Sequence, residues 1–272
     1  MELSKIKAID FHSHFNHGHR SDSAESDVYR CDLDNIIKMN DAANVEYTIC
    51  STFASVLDPK AVIEENEYLY DLCPKVPSLY QWVVIDPRTE DTFLQAKGML
   101  NTRKCLGIKL HPPLHGYSTE EYGEKLFSFA DDMNAVVQIH PEFAPYLYLK
   151  YADKYKNMIL DVAHMADNDF FRAAKQAKHG NVYLDTSGSA SFQNFVIEAA
   201  VAQGLSERIR FGHIRRGRTA RQDRIRPNTG KRQKTDTSSK RDSHFPRIER
   251  RQIELCEARF FHTEQSKRDF LK

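Results

Sequence analysis

A chain of 272 residues with 40% hydrophobic residues and a net charge of +1 can bury the core of one large domain. This composition excludes a disordered or fibrous protein, and no apolar run approaches the ~20 residues of a membrane-spanning helix. The five cysteines are scattered without a CxxC pair, which favours reduced thiols over a disulfide framework or a cysteine zinc site. Because the N-terminus also lacks a signal-peptide pattern, we expect a cytoplasmic protein.

Short apolar runs alternate with amphipathic stretches along most of the chain. The runs predict parallel strands, buried on both faces, at residues 6–11, 45–52, 79–85, 106–110, 135–139, 158–163, 182–186 and 209–212. Helices are predicted from Asp32 or Asp34 to about Ala43, and over 118–133, 167–178 and 191–202. Eight strands that alternate with helices favour an α/β fold of the (β/α)8 TIM-like barrel type, with a doubly wound open sheet as the alternative.

The pattern stops after Gly212. Residues 214–251 contain 14 basic and 4 acidic side chains, whereas the rest of the chain contains 25 basic and 34 acidic ones. A segment with so few apolar residues cannot offset its ordering entropy. We therefore predict a barrel over residues 1–212, with its last helix degraded or missing, and a basic disordered tail over 213–272 with a short helix near 253–261. The tail lacks a recognition motif for nucleic acid, so we do not expect nucleic-acid binding.

Histidines stand at the carboxyl ends of four predicted strands. His12 and His14 end the first strand and, being two residues apart, face the same side. The fourth, fifth and sixth strands lead into His111, His140 and His164. In an α/β barrel these strand ends form one rim, where active sites lie, and neutral imidazoles are good ligands for zinc and similar ions. The spacing therefore predicts a metal site at this rim. The other histidines, including His115, are predicted to be solvated.

The segments DFHSHF, GIKLHP, IHPEF, DVAHMA and RIRFG resemble the amidohydrolase-related family (the amidohydrolase 2 group), including its aromatic-acid decarboxylase-like members, over about residues 1–212. The resemblance implies that His12, His14 and His140 bind a divalent metal, with zinc as the first choice. It also implies that His164 lies beside the metal as a proton-transfer or substrate-polarising group.

The GIKLHP segment of the resembling family lines the substrate pocket. Carried over, this implies that Lys109 and His111 bind an anionic group of a small-molecule substrate. Lys109 could instead be a carbamylated bridging ligand, or form an ordinary salt bridge at the rim. The implied reaction is hydrolysis of a carbonyl compound by metal-activated water, with non-oxidative decarboxylation as the alternative. A homo-oligomer is compatible with the sequence.

The resemblance breaks down at the eighth strand. There the family pattern is similar to FG-S/T-D, and its Asp binds the metal, whereas this chain has Phe211, Gly212, His213, Ile214 and Arg215. Replacement of the carboxylate by His213 is chemically feasible but not expected. Because the motif and the apolar pattern are lost where the charge switches, we hypothesise a reading-frame change near Gly212, which would make the chain a catalytically inactive product. Sequencing of the coding DNA tests this hypothesis. It is wrong if no single-nucleotide shift near codon 212 restores the Asp and an amphipathic last helix.

Overall fold

The computed structural model describes residues 7–17, 31–142, 144–165, 168–187 and 209–210. The predicted helix over 191–202, the end of the predicted eighth strand and the predicted tail lie outside these residues. In the part of the chain that the structure describes, no helix has the length and apolar character needed to cross a membrane.

Eight parallel strands form one sheet in the order of the sequence. Each strand pairs with the next one along the chain, so the sheet has no point at which the strand order reverses. Such a reversal defines the doubly wound open sheet, and its absence from the described strands excludes that alternative. The strands are β1 (Ala8–Phe15), β2 (Val45–Thr52), β3 (Leu79–Val84), β4 (Cys105–Leu110), β5 (Val136–Ile139), β6 (Ile159–Val162), β7 (Val182–Asp185) and β8 (Ile209–Arg210).

The sheet is strongly curled, because side chains from strands far apart in the strand order touch each other. The Nδ1 atom of His12 in β1 lies 2.9 Å from Oδ2 of Asp185 in β7. In a flat sheet these strands would be about 29 Å apart, at ~4.8 Å for each step between neighbours. The contact, together with the sequential strand order, confirms the predicted TIM-like barrel.

The first strand extends further than predicted. Residues 6–11 were expected to form it, but β1 continues to Phe15 because His14 and Phe15 still pair with Ser51 and Thr52 of β2. The register shifts between Asp10 and Ser13, as in a β-bulge. Near this shift the carbonyl oxygen of Phe11 accepts hydrogen bonds from side chains of β3 and β5. The histidine pair therefore belongs to the strand itself, with His12 within the irregularity and His14 just beyond it.

Helices cover the outer face of the sheet. Asp32 and Ser118 cap two of them, as predicted, by accepting hydrogen bonds from the backbone N–H groups of Asn35 and Glu121. Several helices were not predicted, among them Val62–Leu72, Glu90–Met99 and Pro145–Lys154. The helices are α1 (Leu33–Ala43), α2 (Phe53–Leu57), α3 (Val62–Leu72), α4 (Glu90–Met99), α5 (Pro112–His115), α6 (Thr119–Asp132), α7 (Pro145–Lys154) and α8 (Asn168–Gln176).

Gly107 of β4 lies where three strands pack very closely. A Cβ atom at this position would lie 2.2 Å from the carbonyl oxygen of Val136 and 2.5 Å from the ring of Trp82. Trp82 is fully buried, and its Nε1 donates a hydrogen bond to the carbonyl oxygen of Phe11. Glycine therefore lets β3, β4 and β5 approach one another beneath the rim.

An ion pair in the loop after β3 is linked to α5 by a hydrogen bond. Asp86 accepts hydrogen bonds from the guanidinium of Arg88, which also donates to the carbonyl oxygen of His115. His115 is buried, and its Nε2 lies 2.9 Å from the carbonyl oxygen of Ser55. The expectation that His115 is solvated is therefore wrong, since α5 packs inward against α2.

We expect Asp86→Asn to lower the free energy of unfolding at neutral pH and to make it depend less on pH in the acid range. Burial alone would raise the pKa of Asp86, but hydrogen bonds from Arg88 outweigh burial and lower it. The stabilisation is therefore complete above the unfolded pKa of about 3.9 and is lost as the pH falls through the folded pKa. Urea unfolding should show a loss of about 1–2 kcal/mol at pH 7 that shrinks below about pH 4. The exposed Asp71→Asn serves as control, and an equal pH dependence in both variants would contradict the assignment.

Candidate metal centre

The two imidazoles of β1 converge at the carboxyl-end rim of the barrel. His12 and His14 are buried, and their Nε2 atoms lie 3.0 Å apart. Each Nδ1 faces an oxygen instead: Nδ1 of His12 lies 2.9 Å from Oδ2 of Asp185, and Nδ1 of His14 lies 3.2 Å from the carbonyl oxygen of Ser51. The two rings thus present the same edge to each other.

The partner of Nδ1 fixes the tautomer of His12, because the carboxylate of Asp185 can only accept a hydrogen bond, so the proton is assigned to Nδ1 and the lone pair to Nε2. Nδ1 of His14 lies closer to the hydroxyl of Ser51, at 2.9 Å, and a hydroxyl can donate or accept. His14 can therefore present Nε2 to His12 either as a donor or as a second lone pair, and two lone pairs at 3.0 Å repel unless a positive group lies beside them. The ammonium of Lys109 supplies that charge, with its Nζ 2.9 Å from Nε2 of His12.

Asp185, the last residue of β7, ties the first strand to the sixth. Its Oδ2 faces His12, while its Oδ1 accepts hydrogen bonds from the backbone N–H groups of His164 and Ser187, at 3.0 Å and 2.8 Å. Burial alone would raise the pKa of Asp185, but the nearby His12, which donates a hydrogen bond to it, and Ser187 lower it. Asp185 was not among the site residues predicted from the sequence, where its signal is one acidic residue near the end of a predicted apolar strand.

His164 follows β6 in a backbone conformation that non-glycine residues seldom adopt, with φ of 71°. Its Nδ1 lies 2.9 Å from the carbonyl oxygen of Ser187. The centre of its ring lies 5.3 Å from that of His12 and 4.7 Å from that of His140. His164 therefore joins the histidine of β1 to the histidine that follows β5.

His111 and His140 form a stacked pair at the same rim, with ring centres 4.1 Å apart. Nδ1 of His111 accepts a hydrogen bond from the backbone N–H of Leu114 at 3.4 Å, so Nε2 carries the proton. Nδ1 of His140 is buried and has no hydrogen-bond partner among the described residues. His111 thus presents a donor, and His140 retains an unused nitrogen.

A polar layer lies inside the barrel next to the histidines, and it consists of Lys109, Gln138, Asp161 and Asp185, all buried. The first three are in register across β4, β5 and β6. Nζ of Lys109 donates to Oε1 of Gln138 at 2.9 Å, and Nε2 of Gln138 donates to the carbonyl oxygen of Phe11 at 2.9 Å. Barrel interiors are usually filled by branched apolar side chains. The layer contains two carboxyl groups and one amine, and burial lowers the pKa of that amine to about 7.

The imidazoles of the cluster are neutral at neutral pH. Burial is the main cause, and it lowers the pKa of His12 and of His140 to about 3. Burial also lowers the pKa of His14, His111 and His164. Neutral imidazole is the form that binds metal ions, so these rings need not lose a proton first.

The donor set fits a divalent metal. Two nitrogen ligands at 2.0–2.1 Å from zinc lie roughly 2.9–3.4 Å apart for ordinary coordination angles, and the Nε2 atoms of His12 and His14 are 3.0 Å apart. The unused nitrogen of His140 and the two carboxyl groups of the polar layer also favour a cation here. The set of His12, His14 and His140 stays a prediction.

A second grouping shares one member with that set. Potential ligand atoms of His12, His164 and Asp185 all lie within 4.8 Å of one another. Both oxygens of Asp185 already accept hydrogen bonds, one of them from His12. We therefore interpret Asp185 as a residue that orients His12 from behind, as carboxylates commonly do for metal-binding histidines.

We expect Asp185→Asn to weaken metal binding about 10- to 100-fold without abolishing it, because the amide no longer fixes the tautomer of His12. Titration of the metal-free protein with zinc, in competition with a coloured chelator, measures the change. Complete loss of binding would instead make Asp185 a direct ligand. The control is Asp153→Asn, since Asp153 is a carboxylate paired with the exposed Lys178. This variant should bind the metal as the wild type does.

This chain is similar to known proteins in both sequence and fold. The family model for amidohydrolases (Amidohydro_2) matches residues 9–213, and no curated protein matches. Dihydroxybenzoic acid decarboxylase from Polaromonas sp. JS666, with bound manganese and 2-nitroresorcinol, is 14% identical with a TM-score of 0.59, covering 80% of this chain and 89% of that one. A probable 2-pyrone-4,6-dicarboxylic acid hydrolase from Acinetobacter baumannii, with citric acid bound, is 14% identical with a TM-score of 0.55, covering 76% and 84%.

A third structure, an amidohydrolase from Burkholderia multivorans with bound zinc, is 15% identical with a TM-score of 0.53, and the match covers 76% of this chain and 84% of that one. At these identities the structures show a shared fold. One of the three is a decarboxylase and another a probable hydrolase, and two of the three hold a metal, manganese or zinc. Because the family model spans residues 9–213, well over half of the chain, this protein belongs to the amidohydrolase family.

Proposed function

We propose that the chain is a metal-dependent hydrolase that acts on a small, anionic, carbonyl-containing substrate. The observation that carries this proposal is the approach of the His12 and His14 Nε2 atoms to 3.0 Å, with both Nδ1 atoms held by oxygens. When both rings carry their proton on Nδ1, two lone pairs point at one position, where a cation would stabilise them. His140, linked to them through His164, would complete the ligand set.

A divalent ion, zinc as the first choice, would supply Lewis-acid chemistry and activate water at this point. The chain's part is then proton transfer. Nδ1 of His164 donates to the carbonyl oxygen of Ser187, so Nε2 has a free lone pair. That nitrogen can take a proton from water and return it to the leaving group.

The substrate side of the site would be formed by His111 and Lys109. His111 presents an N–H donor, because its Nδ1 is occupied by the backbone of α5. Lys109 is fully buried, so its side chain could reach only a substrate group that is bound directly to the metal ion. Both groups suit a negatively charged substrate, and structural neighbours hold 2-nitroresorcinol and citric acid.

Non-oxidative decarboxylation is the second candidate, because the dihydroxybenzoic acid decarboxylase is among the structural neighbours. In that reaction the substrate carbon must gain a proton, so His164 would have to be protonated before it acts. Burial lowers the pKa of His164 even though its hydrogen bond to the carbonyl oxygen of Ser187 raises it, so the net effect favours the neutral ring, which suits a base. The hydrolase is therefore the better-supported candidate.

Isotope labelling separates the two reactions. The zinc- or manganese-loaded protein would be incubated with cyclic esters of dicarboxylic acids and with hydroxybenzoic acids, in water enriched in oxygen-18 and separately in heavy water. Hydrolysis introduces one oxygen-18 atom into the product, whereas decarboxylation places one deuterium on carbon and releases carbon dioxide. Only the second outcome would overturn the hydrolase. His164→Gln should lower kcat at least 100-fold, at unchanged metal content, if His164 transfers the proton.

A further inference from the structure

Lys109 forms a hydrogen bond to the nitrogen of His12 that the proposed metal would use. Its Nζ lies 2.9 Å from Nε2 of His12 and 2.9 Å from Oε1 of Gln138. The tautomer fixed by Asp185 leaves Nε2 of His12 with a single lone pair, and the ammonium uses it as a hydrogen-bond acceptor. One lone pair cannot serve an N–H donor and a metal ion at the same time. The bond from Lys109 must therefore break when a metal binds to this nitrogen.

Electrostatics act in the same direction. An ammonium and a divalent ion a few ångströms apart repel strongly inside a protein, where the effective dielectric constant is well below that of water. Lys109 is fully buried, so water does not screen this repulsion. A positive charge so close to the histidines should lower the affinity of the site for any cation.

The polar layer offers Lys109 other partners once its hydrogen bond to His12 is broken. Gln138 remains a hydrogen-bond acceptor for the ammonium, and the carboxylates of Asp161 and Asp185 are near enough to attract it. The side chain therefore needs only a small rotation to release Nε2, and it remains paired in both arrangements.

We propose that Lys109 is an internal cation that competes with the metal for the Nε2 lone pair of His12. It holds the histidine pair together in the metal-free protein, and it lowers the metal affinity of the site. The proposal rests on the proposed metal centre. It differs from a carbamylated Lys109, since a carbamate would be a metal ligand whose removal weakens binding.

The test compares four proteins: the wild type, Lys109→Met, Lys109→Gln and Lys104→Met. Glutamine keeps a hydrogen-bond donor without the charge, which safeguards the test if the methionine variant fails to fold. Lys104 is a matched control, because this partly buried lysine donates to backbone carbonyls at the opposite end of β4. Each full-length protein is stripped with a chelator and titrated with zinc against a coloured competitor, and thermal unfolding is recorded with and without zinc.

We expect both Lys109 variants to bind zinc at least about tenfold more tightly than the wild type, and Lys104→Met to be unchanged. The metal-free Lys109 variants should unfold at a lower temperature, and zinc should raise their midpoint more than that of the wild type. Binding that is equal or weaker in both Lys109 variants would overturn the proposal and leave the metal centre intact. Absence of zinc binding in all four proteins would instead refute the metal centre, whereas zinc bound by the Lys109 variants alone would support the competition.

Discussion

Replacement of His12 by alanine should abolish stoichiometric metal binding. The substitution removes one of the two converging Nε2 atoms and leaves Asp185 without its imidazole donor. It also removes one of the hydrogen bonds made by Nζ of Lys109. Elemental analysis of the purified variant, beside the wild type loaded under the same conditions, measures the metal content directly. Loss of a buried hydrogen-bonded partner should also cost about 1–3 kcal/mol of stability.

The matched control for this variant is His179→Ala, because His179 is an exposed histidine after α8. It should keep the metal content of the wild type. A full equivalent of zinc in the His12 variant would contradict the predicted ligand set, and it would also undermine the proposed hydrolase. Equal loss in both variants would show that the metal is bound elsewhere.

Gly107→Ala should destabilise the barrel severely, by about 3 kcal/mol or more. The new methyl group would lie 2.2 Å from the carbonyl oxygen of Val136, a backbone atom that cannot move without shifting β5. It would also meet the ring of Trp82, which is anchored by its bond to the carbonyl oxygen of Phe11. Because domains are stable by only ~5–15 kcal/mol, such a loss should be visible as a lower urea midpoint and poor soluble yield.

The same substitution at Gly98 should have the opposite sign. Gly98 lies within α4, and a Cβ atom there would meet nothing within 4 Å. Alanine in a helix is favoured over glycine by roughly 0.5–1 kcal/mol, so Gly98→Ala should raise the urea midpoint slightly. Similar destabilisation by both alanines would show that the close packing at Gly107 is not responsible.

The strands could be predicted from the sequence because most are rich in apolar residues, as expected for a parallel sheet covered on both sides. The histidines could be placed at one rim because parallel strands share a direction. Helix α3 was missed, since its segment VIEENEYLYDL mixes acidic and aromatic residues without a clear apolar stripe. The end of β1 was misplaced because polar His12 and His14 do not look like strand residues.

The partners of the histidines could not be predicted. Asp185, Gln138 and Asp161 are each single polar residues in apolar runs, and nothing in their spacing shows which strand they will meet. Their roles arise from closure of the barrel, which brings β7 against β1. Sequence spacing identifies residues that share a strand or a rim, but not contacts across the interior.

The bond between His12 and Asp185 spans 173 positions of the chain. Contacts of such long range are slow to form, because the loop-closure entropy must be lost before the contact contributes anything. During synthesis, almost the whole barrel must leave the ribosome before the carboxylate can orient the imidazole. An ion captured by the nascent N-terminal segment would meet a pair of unrestrained rings, so selective uptake of the proposed metal would be a late event in the maturation of this protein.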